Sequence, residues 1–296
     1  MTLSQSFVVF TPDIWSPRIN MFFQEKLTAG NWFENRSSEV ADGGNVLYIS
    51  SMADAFAATD VKTTSGANTL TNISDTKTYL SLSNWKSAGY PISDYQAAYM
   101  SKSYGSQERY AQTLAYTLAK QLDGDLIALA HSFYSAVGDS TTLLATTLEK
   151  AIGILESFSV PTQECAFFFD PKVYWSEIMT NSKLYDASQY GNAILPYGAA
   201  SKLYGIPVFL TNLLDTALYA DAALCGVGNT KVNFLAHPSS VCYAKGTLPG
   251  GGQGAIRYQV KEYSPPNLAV APIADITYGV LCLNSRRGIK ILSDLL

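Results

Sequence analysis

The stretch that runs from Val46-Leu47-Tyr48-Ile49 to Tyr79-Leu80-Ser81-Leu82 decides the fold. Both ends alternate or run apolar with β-favouring residues, the signature of strands. Between them lies a long tract of Ser, Thr, Asn, Asp, Gly and Ala. A loop that long inside a compact domain is either functional or disordered. Bracketed by strands, it reads as an arm-like hairpin: strand 45–50, polar tip 51–75, strand 76–83. Thr59-Asp60-Val61-Lys62-Thr63-Thr64 adds a short β segment, and Gly66-Ala67-Asn68 a turn. An arm that cannot bury its faces on its own body needs a second body to lie on.

Outward from the hairpin, the chain changes character. Gly89-Tyr90-Pro91 interrupts it, Ser93-Asp94 supplies an N-cap, and a long helix spans roughly Gly105 to Tyr134. Its apolar residues are Ala111, Leu114, Ala115, Leu118, Leu122, Leu126 and Leu129, recurring every three to four positions. Such a helix is about 45 Å long, a strut rather than an ordinary domain element. Gly124 costs about 1 kcal/mol against Ala in its interior. Asp123 and Asp125 share one of its later turns and read as a solvated pair.

Before the hairpin, Pro12 and Pro17 interrupt an extended arm. Ile14, Trp15, Ile19, Phe22 and Phe23 then give one helical stripe ending near Gly30. After the long helix, a second one covers Thr141 to Ser157, with Leu144, Leu148, Ile152 and Leu155 on one side. Cys165-Ala166-Phe167-Phe168-Phe169 reads as a strand buried on both faces, followed by a helix from Pro171 to Met179. Short strands fall around Gly205 to Phe209, at Lys231–Leu235 and at Ser240–Lys245. The region from Ala255 to Ile291 is mainly strand. The class is α+β.

Composition fits a body covered by other bodies. Only 15% of the 296 residues are charged, while Tyr and Phe number 19 and 13. Ordinary soluble domains carry about 25% charged residues. Net charge is −4, and the densest basic spot is Ser285-Arg286-Arg287, which argues against tight sequence-specific nucleic-acid binding. Met1-Thr2-Leu3-Ser4-Gln5-Ser6 does not resemble a signal peptide, and no apolar run reaches the length of a membrane span, so the expectation is a soluble chain made in a cytoplasm. Cys165, Cys225, Cys242 and Cys282 show no CxxC spacing and read as free thiols.

Signs of catalysis are absent from the pattern. His131 and His237 have no partner at metal-ligand spacing, and both read as structural. Pro249-Gly250-Gly251-Gly252-Gln253-Gly254 lacks the Lys and the following helix of a phosphate loop, and reads as a strand connector. The same holds for Gly226 to Lys231, and no Gly-x-Ser-x-Gly elbow occurs. The expectation is a non-enzyme with no metal and no cofactor.

In this order the chain resembles the HK97-fold major capsid proteins of tailed bacteriophages. Thr11 to Ile19 resembles the start of their N-arm helix, and Asp42-Gly43-Gly44-Asn45-Val46 to Ile49 the lead-in to their long hairpin, the E-loop. Ala111 to Leu129 resembles their spine helix. Glu149 to Asp170, with Val160-Pro161 and Asp170-Pro171, resembles the opening of their axial domain. Gly191 to Leu195, Tyr204 to Val208 and Ala274 to Val280 resemble later segments.

The resemblance implies an N-terminal arm over 1–42, an E-loop hairpin over 43–90, a P-domain spine over 91–140, an axial (A) domain over 141–250, and P-domain strands over 251–296 returning toward the A-domain. It implies a shell protein of an icosahedral virion, self-associating as pentamers and hexamers, in company with portal and scaffolding proteins and with a cement protein as an option. Packaged DNA is then met only through weak, non-specific contact, and no membrane is involved. The arm begins at residue 1, so scaffolding is expected as a separate protein or a removed segment. Candidate inter-subunit contacts are Thr59, Val61, Lys62, Thr64, Asn68, Thr69 and Lys77 on the hairpin, and Ile14 and Trp15 on the arm. Some relatives cross-link a hairpin Lys to a neighbour's Asn. Lys62 and Lys77 keep that option open here, with no acceptor legible. Encapsulin shells share the fold, so a cargo compartment is the alternative, and the large Ser/Thr-rich tip favours the phage reading. A hydrolytic or small-molecule-binding domain would need a polar cluster that the sequence does not offer.

Overall fold

The computed structural model describes residues 27–40, 44–52, 75–93, 106–138, 143, 145–179, 202–215, 230–249, 256–263 and 269–294. Chain order begins with a short helix, Ala29–Trp32. The strands are β1 (Glu34–Asn35), β2 (Val46–Met52), β3 (Asp75–Ser81), β4 (Asn84–Gly89), β5 (Ile92–Ser93), β6 (Ser135–Val137), β7 (Ala166–Phe169), β8 (Lys202–Leu203), β9 (Ile206–Leu210), β10 (Thr230–Ala236), β11 (Val241–Lys245), β12 (Arg257–Tyr263), β13 (Ala269–Cys282) and β14 (Gly288–Asp294). The long helix is Ser106–Ala128, between β5 and β6, and the second is Ala145–Ser157, between β6 and β7.

The first sheet is organised around β13. Strands β4 and β5 pair along one of its edges, and β11 and β12 lie end to end along the other. The register shows this directly: Asp275 pairs with both Ser87 and Arg257, and Tyr278 with both Asn84 and Lys245. β1 adds a parallel edge to β11. Side chains alternate along β13. Ala274, Ile276 and Tyr278 face the long helix and enter one core cluster with Leu118, Leu122, Leu126 and Ile127. The opposite face of the sheet presents Cys242 and Ala244, which cluster with Val40, Ile49, Leu80 and Leu82. The first sheet is therefore a layer between the helix and the base of the hairpin.

The second sheet has the order β6-β14-β10-β7-β9-β8. It too is covered on both faces, which is why its strands read as continuous apolar runs. Phe168 and Phe234 join the cluster of the long helix, their rings stacked 4.6 Å apart. Phe167, Phe169, Leu235, Ile289 and Ile291 point the other way, onto Leu148, Ala151 and Leu155 of the second helix. Its hairpin β8–β9 turns at Tyr204 and Gly205, with φ of 53° and 81°. Two consecutive left-handed residues are what the two-residue hairpin turn matching strand twist requires. β11, near the end of the segment expected as axial, belongs to the first sheet, and the C-terminal β14 belongs to the second.

Several expectations are corrected. The long helix ends at Ala128 rather than near Tyr134. A 3-10 turn, Leu129–Ser132, follows, and then β6, because parallel pairing of Ser135–Val137 with β14 takes over the backbone. The long helix packs on β13, while Tyr258 and Val260 stand exposed on β12. The helix opened by Pro171 keeps α geometry only to Val173, then widens to a π turn over Tyr174–Ile178. Asp170 caps it by accepting from Lys172 N at 2.8 Å. The helical stripe of Ile14 to Phe23 lies outside the described residues, and the short helix seen is Ala29–Trp32.

Candidate assembly surface

The hairpin β2–β3 keeps the register expected of two alternating strands. Val46 faces Ser81, Leu47 faces Leu80, Tyr48 faces Tyr79, Ile49 faces Thr78 and Ser50 faces Lys77. Alternation then sorts these pairs onto two faces. Leu80 and Ile49 are buried against the first sheet. The other face carries Val46, Tyr48, Tyr79, Ser50 and Lys77, and all but Ser81 opposite Val46 stand exposed. Tyr48 and Tyr79 are 72% and 64% exposed although they are direct cross-strand partners. Two tyrosines side by side on the same exposed face offer apolar area with two phenol groups, the kind of residue enriched at protein interfaces.

What seats the hairpin is the lack of side chains beneath it. A Cβ on Gly279 would collide with the Ser81 carbonyl and lie 3.3 Å from Leu80 Cδ1. A Cβ on Gly246 would lie 2.7 Å from Thr277 Cγ2 and 3.2 Å from Leu82 Cδ1. The two glycines let the hairpin cross β11 and β13 in van der Waals contact.

Beside it, Trp85 of β4 is 68% exposed yet fixed in place. Its Nε1 donates to Asp275 Oδ2 at 3.1 Å. Asp275 is buried, and Arg257 grips it with Nε at 2.8 Å and with Nη2. Two charge-assisted bonds of this fork type compensate the burial of the carboxylate. Trp85 is opposite Thr277 and Arg257 is opposite Asp275, so all of these lie on the hairpin side of the first sheet.

Of the contact residues expected from sequence, Lys77 is placed, on the exposed hairpin face beside the tyrosine pair. Thr59, Val61, Lys62, Thr64, Asn68, Thr69, Ile14 and Trp15 lie outside the described residues. Sequence reading missed Tyr48, Tyr79 and Trp85 as surface residues. Alternation with Leu47, Ile49 and Leu80 marks Tyr48 and Tyr79 as one face in the sequence, though only the register pairs them, and no sequence pattern marks Trp85.

Other polar groups singled out in the sequence are held by hydrogen bonds. His237 Nδ1 accepts from Ser239 N at 3.2 Å, and its Nε2 meets Glu164 at 3.1 Å. His131 Nδ1 contacts Ala128 O at 3.1 Å. Asp125 accepts from Tyr278 Oη, and burial first, then this bond, raises the Tyr278 pKa. Asp123 is the correction: it is not solvated but 3% exposed, for reasons of chain contacts far away in sequence. A buried network also links the two strands β10 and β14 to the capped turn. Lys231 Nζ donates to Asp170 Oδ2 at 3.0 Å, Asp170 N to Asn233 Oδ1 at 2.9 Å, and Asn233 Nδ2 to Ser293 Oγ at 3.0 Å. Among the described residues, no group of three or more His, Cys, Asp and Glu is arranged to hold a metal, and no helix is long and apolar enough to cross a membrane.

No protein-family model matches the sequence, and no curated protein matches it either. Solved structures match its fold. A chain of Mycobacterium phage Che8 is 18% identical with a TM-score of 0.71, the match covering 97% of this chain and 98% of that one. The capsid structure of cyanophage P-SCSP1u gives 12% identity and a TM-score of 0.75, over 96% and 93% of the two chains. The mature capsid of bacteriophage PhiM1 gives 12% identity and 0.69, over 99% and 98%. The fold is one that these phage chains share. In particular, it is the HK97-like α+β fold: a hairpin and a long helix on opposite faces of one sheet, with a mixed second sheet beside them.

Proposed function

We propose that this chain is the major coat protein of a tailed bacteriophage, assembling as pentamers and hexamers into the icosahedral shell that encloses double-stranded DNA. The observation that carries the reading is the nearly end-to-end match, in both directions, to capsid chains. The exposed hairpin face supports it. Val46, Tyr48, Tyr79 and Lys77 offer a surface for a neighbouring copy, and Thr59, Val61, Lys62, Thr64, Asn68 and Thr69, which lie between β2 and β3 in sequence, are proposed as contacts with them. Ile14 and Trp15 of the arm are proposed as further contacts. The chain then divides as arm, E-loop, spine, axial region and returning P-domain strands at 42, 90, 140 and 250.

The role is structural rather than enzymatic, and its place is the virion capsid, assembled in the host cytoplasm. A portal and a scaffolding protein are its working partners, with a cement protein on the outer surface as an option. A charge of −4 without a basic block leaves protein–protein burial as the driving force. Electron microscopy of the purified full chain, across salt and with or without DNA, tests this. Shells or capsomers that form without DNA and survive moderate salt are expected, since screening weakens exposed charge pairs and not apolar contacts. Particles that form only with DNA and dissolve steeply with salt would overturn it.

A further inference from the structure

The short helix Ala29–Trp32 is too brief to sustain itself, because a first turn fixes several residues for little hydrogen bonding. Something outside must define it. Thr28 N and Ala29 N both donate to Asp123 Oδ2, at 2.9 and 3.0 Å. Gly30 N donates to Asp123 Oδ1 at 2.8 Å. Three successive backbone donors thus converge on one carboxylate of the long helix. A carboxylate is the side chain suited to this, since both its oxygens only accept. From the other side, Tyr243 Oη of β11 donates to Gly30 O at 2.6 Å. Burial, and then the nearby Asp123 charge, raise the Tyr243 pKa, which keeps that phenol protonated as a donor. A Cβ on Gly30 would lie 3.0 Å from Asp123 Oδ1, so the backbone has closed directly onto the carboxylate.

We propose that Asp123 is a clasp that fixes the backbone path at residues 28–30, separately from the core beneath it. The grip is on backbone, so it dictates direction as well as attachment. It delivers the chain into β1, which pairs with β11 only from Glu34 onward. In a shell of identical chains, a clasp of this kind would hold the backbone at residues 28–30 alike in every copy. The clasp supplies that uniformity, and this consequence rests on the coat-protein reading above.

Hydrogen exchange on the isolated full chain tests the clasp without needing particles. Asp123→Asn replaces one acceptor oxygen by a donor facing donors. Amides 28–30 should exchange roughly 10- to 100-fold faster, the range for losing a hydrogen bond to a charged group. Amides of β10 should stay within about threefold of the wild type, as local opening does not require global unfolding. Unchanged protection at 28–30, or equal loss everywhere, would overturn the clasp. Should the Asn variant fail to fold, Tyr243→Phe removes the second grip while keeping the ring. A smaller acceleration at the same amides is expected, and none would overturn it. Assembly is read separately. Folded Asp123→Asn chains with fast amides 28–30 should give fewer closed particles than wild type. Normal particles from them would overturn the link to assembly. Failure of the wild type to assemble would sink the coat reading and leave the exchange result standing.

Discussion

Gly279 of β13 lies directly under the Ser81 carbonyl of the hairpin, with no room for a side chain between them. The hairpin therefore rests on backbone. Gly279→Ala should lift β3 off the sheet and cost about 1–3 kcal/mol, as overpacking does. Urea unfolding measures the loss, and hydrogen exchange should show it concentrated in β2 and β3. A variant as stable as wild type, with β3 equally protected, would contradict this seating.

The exposed face should behave oppositely. Tyr48→Ser together with Tyr79→Ser removes a solvent-facing pair, so monomer stability should change by about 1 kcal/mol or less. Particle yield should fall at least several-fold if this face meets a neighbouring copy. Circular dichroism melts and particle counts by electron microscopy give the two readouts from the same preparations.

The long helix offers a graded test. Leu126 is fully buried between the two sheets, and Leu118 nearly so. Leu126→Ala should cost roughly 2–5 kcal/mol, with Leu118→Ala in the same range. Val260→Ala should change stability by less than about 0.5 kcal/mol, because Val260 is exposed rather than packed beneath the helix.

Much of this was legible from periodicity. The two alternating runs give the hairpin, the Leu114 to Leu126 stripe gives the helix, and the triple Phe gives a strand buried on both faces. What was not legible depends on partners far along the chain. Asn84-Trp85-Lys86-Ser87-Ala88-Gly89 has no strand signature, and pairing with Ile273–Tyr278 makes it one. Glu34–Asn35 is a strand only because β11 is beside it. Asp123 looks solvated in any helical wheel. Only the arrival of the residue 28–30 backbone, more than ninety positions away, explains a buried carboxylate there. Of the exposed hairpin face, the sequence reading named Lys77. The tyrosine pair needed the register, which decides the face each strand residue takes.

The buried ion pair makes a further prediction. Lys231→Met leaves Asp170 without its cation in a site where both side chains are at most 5% exposed. Removing one partner of such a pair costs about 3–5 kcal/mol. The double variant Lys231→Met with Asp170→Asn should recover part of the loss, and a double-mutant cycle by urea unfolding measures the coupling.

Thiol titration gives the pH dependence. Burial pushes Cys165 from near 9.0 up to about 12, with Glu164 adding to the rise, and pushes Cys242 up to about 11. A thiol is neutral when protonated, so the folded state favours that form. The stability this contributes is complete below about pH 9 and is lost as pH rises through 11 to 12. The urea midpoint should fall over that window, and less steeply in Cys165→Ala with Cys242→Ala. Both thiols should resist disulfide-exchange reagents at pH 8 until the chain unfolds.

β13 is the strand around which the first sheet is built and β14 an interior strand of the second, yet among the described residues they are the last strands along the chain. Neither sheet can close until ribosomal synthesis has passed residue 282 for the first and reaches the segment Gly288–Asp294 for the second. Until then the hairpin has no seat and the long helix no floor. Such sequence-distant pairing makes folding slow. It also acts as a completeness check: a polypeptide that stops before Gly288 cannot finish the second sheet, which on the coat-protein proposal would keep it out of a growing particle.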